Sequence, residues 1–206
     1  MFRWVLLLSA SAFAQIDISG FLAAPVGDFA STKGGMAETR FGVTVAAMKP
    51  VSGQLSVGGE GGVIMNTVDR DAFAQGLLDE TGASTASASG GTYFNFPILL
   101  SLSFTAPIGR NNTLSLVGGV GYDFLSMMDM DLKLNGNKGT IAFDPSGAFA
   151  YDIGGTVGFG VFFIGAKYFG LGDHKIKAAI SGSNGEATTH GNQEVSVVGI
   201  LAGFRF

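Results

Sequence analysis

Val195-Ser-Val-Val-Gly-Ile-Leu-Ala-Gly-Phe-Arg-Phe206 decides the fold of this 206-residue chain. Phe206, Phe204, Ala202, Ile200 and Val198 share one parity, while Arg205, Gly203, Leu201, Gly199 and Val197 share the other. Such period-two alternation is the mark of a β-strand. In a soluble sheet, two exposed aromatics at the end of a strand would make a sticky, unpaired edge. A closed barrel in lipid has no such difficulty, because lipid covers the apolar face and closure removes the edge.

The same pattern recurs upstream. Phe94, Phe96, Ile98, Leu100, Leu102 and Phe104 alternate with Asn95, Ser101 and Ser103. A helix would scatter that set around its whole circumference. Charged residues make up 14% of the chain, well under the roughly 25% usual for soluble domains. Even so, no uninterrupted apolar run reaches the ~18 residues a spanning helix needs. High hydrophobicity dispersed one residue in two is the composition of a membrane barrel. The absence of cysteine excludes a disulfide framework and thiolate metal sites, and a net charge of −4 without a basic cluster argues against nucleic acid.

At the N-terminus, Arg3, the apolar run 4–8 and Ala12-Phe13-Ala14 have the order of a secretory signal peptide. Residues 1–14 are expected to be that signal, and 15–206 a single barrel domain.

Eight strands are expected, near 16–24, 39–48, 54–65, 93–105, 113–125, 147–158, 161–170 and 195–206. Pro97 lacks a ladder donor, so a bulge is expected there. Connections alternate in length. Those at 49–53, 108–112 and 158–160 are short, whereas 25–38, 66–92, 126–146 and 172–193 are long. Outer-membrane barrels have short periplasmic turns and long extracellular loops, so every long connection belongs outside. Within the long connections, 130–143 and 175–189 read as projecting hairpins and 71–80 as a short helix. The Ala/Ser/Gly-rich run 81–91 reads as flexible.

On these residues the chain resembles the small bacterial outer-membrane β-barrels, including the eight-stranded OmpA-type transmembrane domain. The resemblance implies an all-β, eight-stranded antiparallel transmembrane barrel in the bacterial outer membrane. It also implies that Phe204 and Phe206 serve as an assembly signal for the barrel-assembly machinery. The peptidoglycan-binding domain of the full OmpA architecture has no counterpart after the barrel, so cell-wall tethering is not carried over.

The inward parity collects Asp17, Arg40, Glu60, Asp123, Asp152, Lys167 and Arg205. A basic residue facing mid-bilayer lipid costs about 2–4 kcal/mol, which sends these charges to the lumen. Asp152 and Lys167 fall opposite each other if the turn centres on Phe159-Gly160. Asp17 and Arg205 become neighbours on closure. An eight-stranded lumen holds mostly side chains, so the set is expected to act as a plug.

Catalysis has little support. His174 and His190 both lie in the last long connection, where histidines are usually solvated. Asp69-Arg-Asp71 and Asp129-Met-Asp131 lack calcium-loop spacing. No catalytic, metal or cofactor-binding residue is assigned, and no cofactor is expected. The function expected is structural or surface-interacting, with outer-membrane lipid as surroundings and an extracellular partner reached through the loops. The alternative is a narrow channel or transporter for small or hydrophobic solutes.

Overall fold

The computed structural model describes residues 15–32, 34–182 and 185–206. The expected signal peptide and the tip of the last hairpin lie outside the described residues. Eleven strands form one antiparallel sheet: β1 Gln15–Pro25, β2 Ala37–Pro50, β3 Leu55–Val68, β4 Ala86–Gly90, β5 Thr92–Pro107, β6 Asn112–Met127, β7 Met130–Leu134, β8 Asn137–Phe143, β9 Ser146–Phe159, β10 Phe162–Gly182 and β11 Gly185–Arg205. Eight of them, in the order β1-β2-β3-β5-β6-β9-β10-β11, close into a barrel through the pairing of β11 with β1. Helix α1, Arg70–Thr81, follows β3.

The alternation read from the sequence sets the faces. Leu100 and Ile153 are each 64% exposed and Ile200 69%, all on the outer face of the barrel wall. Phe124, Phe149, Tyr122 and Tyr151 share that face. Only a lipid phase accepts so continuous an apolar exterior.

Several expectations need correction. Pro97 causes no bulge, for it pairs with Asp123 in an unbroken β5–β6 register. On its other side the β3–β5 ladder is interrupted at Gly62 and Val63 but resumes in the same register. The strand tolerates the missing donor by leaving a gap rather than inserting a residue. The run 81–91 is not a loose linker, because Ala86–Gly90 pairs with β7. Asn135 holds it in place, its Oδ1 accepting from the N–H groups of Ser84 and Thr85 at 3.0 and 3.2 Å. Asn135 and Gly136 both take positive φ, 49° and 85°, as a two-residue hairpin turn requires. The β9–β10 turn centres on Gly160-Val161, so Lys167 sits opposite Gly154 and Asp152 opposite Phe169.

Beyond the membrane the sheet continues. β10 and β11, 21 residues long each, stay paired over nearly their whole length, and the upper part of β10 takes on β8, which carries β7 and β4. The result is a five-stranded extracellular sheet, β11-β10-β8-β7-β4, with α1 packed along β4. A short epitope tag at Ser84 should accordingly be reached by antibody on intact cells, and one at Gly53 only after permeabilisation. Labelling at Gly53 on intact cells would mean an inverted barrel.

Candidate functional site

The barrel interior divides into two halves. At the periplasmic end it is polar. Arg205 on β11 reaches Asp17 on β1 with two bonds, Nε–Oδ1 at 3.0 Å and Nη2–Oδ2 at 2.8 Å. Its third nitrogen donates to Ser115 Oγ at 3.3 Å, and the guanidinium stands 5.5 Å from the centre of the Phe163 ring. Above this pair, Lys167 Nζ bridges Glu60 Oε2 at 2.6 Å and Asp152 Oδ2 at 2.7 Å. All three residues are buried. A cavity of about 40 Å³ remains between the two clusters, lined by Ser19, Thr44, Ser103 and Thr156 among others. That volume suits very few waters, and no hydrated solute.

The extracellular half is mainly apolar, with Asn66, Asn95, Asp123 and His174 as its fully buried polar residues. Phe21 and Phe169 stack with ring centres 5.2 Å apart. Leu171, Val195, Val197, Ile64 and Phe29 fill the space above them without exposed surface. Phe29 comes from a 3-10 turn, Gly27–Phe29, folded down from the first long connection. Its ring meets Tyr93 edge-on at 5.0 Å, and the Tyr93 hydroxyl donates to the Gly35 carbonyl at 2.8 Å. This core runs without a break into the extracellular sheet through Met127, Met130, Ile141 and Ala178. The polar lumen expected from the sequence is therefore concentrated in the periplasmic half.

Of the seven charges assigned to the lumen, five gather in these two periplasmic clusters. Lys167 reaches Asp152 diagonally rather than straight across the ladder, one pleat away. Asp123 is buried higher up, with His174 Nε2 at 3.2 Å from its Oδ2. Arg40 is a correction. The β2–β3 register shifts between Glu38 and Phe41, and that bulge turns Arg40 onto the outer rim. There it donates to Thr67 Oγ1 at 2.9 Å and Glu38 Oε2 at 3.2 Å, with its side chain 43% exposed.

His174 is a second correction, since it lies wholly buried on β10 rather than in a solvated loop. A bulge between Gly170 and Gly172 reverses the facing of β10, so even-numbered residues point inward above it. Nε2 lies 3.0 Å from the Leu171 carbonyl oxygen as well as near Asp123. The Leu171 carbonyl can only accept, which puts a proton on Nε2, while Nδ1 stands 3.0 Å from Ser146 Oγ. Ser146, His174 and Asp123 thus follow one another as in a hydrolytic relay. With imidazole and carboxylate both fully buried, the contact ties β6, β9 and the β10 bulge together. The Gly170-Leu-Gly172 triplet was the only sequence signal for that bulge. His190 sits on β11, exposed, opposite Lys177.

Phe204 and Phe206 face outward at the periplasmic rim, with ring centres 6.4 Å apart, and Phe204 meets Phe162 edge-on at 5.9 Å. The polar cluster also depends on a glycine. A Cβ on Gly119 would stand 2.8 Å from Asp152 Oδ1 and 2.9 Å from Ser101 Oγ, both buried. Gly119→Ala should therefore lower stability by about 1–3 kcal/mol, read from urea unfolding in lipid vesicles. Gly118→Ala on the outer face, whose nearest neighbour would be at 3.6 Å, should be neutral.

This closed ring of eight strands, apolar outside and packed within, defines an outer-membrane β-barrel. No family model and no curated protein matches the sequence. Among solved structures, the chain is similar to the outer membrane protein OprG from Pseudomonas aeruginosa. The two share 18% identity over 93% of this chain and 95% of that one, with a TM-score of 0.57. A major outer membrane protein from Thermus thermophilus shares 13% identity over 93% and 99%, with a TM-score of 0.55. The fold is that of the small OmpA-type barrels, its place is the bacterial outer membrane, and lipid surrounds it.

Proposed function

We propose that the barrel is a rigid membrane anchor for a surface-recognition platform, the five-stranded extracellular sheet with α1. The observation that carries this reading is the continuous apolar core running from Phe21 and Phe169 up to Met130 and Ile141. It occludes the lumen and at the same time stiffens the projecting strands. Assembly would depend on recognition of Phe204 and Phe206 by the barrel-assembly machinery.

A second reading is favoured by the gap in the β3–β5 ladder beside Pro97. A small apolar solute entering the apolar half meets the Lys167 cluster below and could leave only sideways, through that weakened wall. The two readings separate in one experiment. Purified barrel in planar bilayers and liposomes should give no conductance and no uptake of apolar dyes. Cells displaying it should bind immobilised extracellular-matrix proteins, and should lose that binding when residues 131–140 are replaced by a Gly-Ser link. Dye uptake, with adhesion unchanged by that replacement, would favour transport.

A further inference from the structure

The two edges of the extracellular sheet are treated differently. At one, α1 packs along β4. At the other, β11 continues upward past its last contacts with the barrel wall, the Pro25–Val197 pairing and the bond from Val26 N–H to the Ser196 carbonyl at 3.0 Å. Among the described residues, β10 alone pairs with it above that point.

The direction of the free groups follows from parity. The N–H and C=O of one strand residue point the same way, and successive residues alternate. Phe206 and Ser196 both address β1. The backbones of Glu194, Asn192, His190 and Thr188 therefore face the open side, and those of Gln193, Gly191 and Thr189 face β10. Above its contact with the Gly27–Phe29 turn, this edge carries few of the usual protections. The register with β10 is regular from Asp173–Glu194 upward, with no bulge. Residues 187–192, Ala-Thr-Thr-His-Gly-Asn, are all exposed and include neither proline nor lysine.

At the foot of the edge lies a cleft of about 370 Å³ lined by Asp28, Asp173 and Glu194 together with Tyr151. Asp173 and Glu194 are direct cross-strand partners, a like-charge pair that the sheet alone would disfavour. A cation arriving at the cleft relieves that repulsion. We infer that the open edge of β11 is a docking strand for an extended, basic peptide segment of an extracellular protein, completing the sheet by strand addition over the Asp28–Asp173–Glu194 cleft. This rests on the platform reading and names its partner class.

A second copy of the chain does not fit. Two barrels in one membrane are related by an axis along its normal, so their β11 strands run the same way with opposite tilts and cross. A peptide has no such restriction and takes the antiparallel direction, whose hydrogen bonds are straighter. Because β11 descends toward the cleft, the antiparallel peptide has its N-terminal end there, and that end carries the lysines.

The test uses barrel in lipid nanodiscs and fluorescein-labelled ten-residue peptides of alternating Thr and Val, read by anisotropy. One peptide begins with two lysines, one ends with them, and one begins with two glutamates. The first should bind at least tenfold more tightly than either other. Thr188→Pro removes one donor from the open side and no bond to β10, so it should weaken binding at least tenfold. Thr188→Val keeps the backbone and should bind as wild type. Asp173→Lys combined with Glu194→Lys should reverse the charge preference. Equal binding of all three peptides, no saturable binding, or indifference to Thr188→Pro overturns the inference. The adhesion experiment above does not use these peptides, so platform and docking edge can fail separately.

Discussion

Replacing Lys167 with methionine should destabilise the barrel by about 3–5 kcal/mol, the range for breaking a buried ion pair by removing one partner. Glu60 and Asp152 would then face each other in the wall-enclosed interior with no counter-ion, since the other cation, Arg205, is already engaged by Asp17. The methionine itself packs acceptably, as the lysine stem already lies beside Phe169, with Nζ 5.4 Å from the ring centre. The loss is thus one of charge and not of volume. Neutralising the acids as well, in Glu60→Gln/Asp152→Asn/Lys167→Met, should return most of the stability, because no ion is then left buried alone. Urea unfolding in vesicles, followed by far-UV circular dichroism and by the gel shift between folded and boiled forms, gives both numbers. A Lys167→Met loss under 1 kcal/mol would mean that water reaches the two carboxylates, and the interior would then be more open than a plug.

The barrel was legible because lipid enforces a strict rule on alternate residues. Ile98, Leu100 and Leu102 must be apolar, and the short connections at 49–53 and 108–112 leave little choice of neighbour. The helix at 71–80 was equally readable from the spacing of Phe73, Leu77 and Leu78, and it forms over Arg70–Thr81 with Asp69 as its cap. Parity carries no information about a bulge until the register is known. One inserted residue between Glu38 and Phe41 moved Arg40 from the lumen to the rim, and one at Leu171 carried His174 from solvent into the core. The extracellular sheet was half legible. The Asn135-Gly136 turn announces its hairpin, but 86–90, Ala-Ser-Ala-Ser-Gly, has weak strand propensity and becomes a strand only because β7 and Asn135 recruit it. The apolar upper interior was hidden for a similar reason. Phe21, Phe169, Val195 and Val197 sit on the parity assigned to a polar lumen, and only the folded register shows them converging.

That convergence sets the second large effect. Phe169→Ala should cost about 3–5 kcal/mol, the range for removing a buried aromatic ring. The ring has no exposed surface, stacks on Phe21 and covers the Lys167 ammonium. Collapse around the void is restricted, because the neighbouring groups belong to hydrogen-bonded strands that cannot shift singly. The same substitution should leave the barrel electrically silent. Above the void Leu171, Val195, Val197 and Phe29 still close the interior, and below it Lys167 still bridges Glu60 and Asp152. Stability and permeability should therefore part company: a marked fall in urea midpoint with no step conductance in planar bilayers. Conductance appearing with this one ring removed would mean that the layers above Phe169 move apart readily. The extracellular sheet would then stand on a gate rather than on a plug, and the transport reading would gain over the platform.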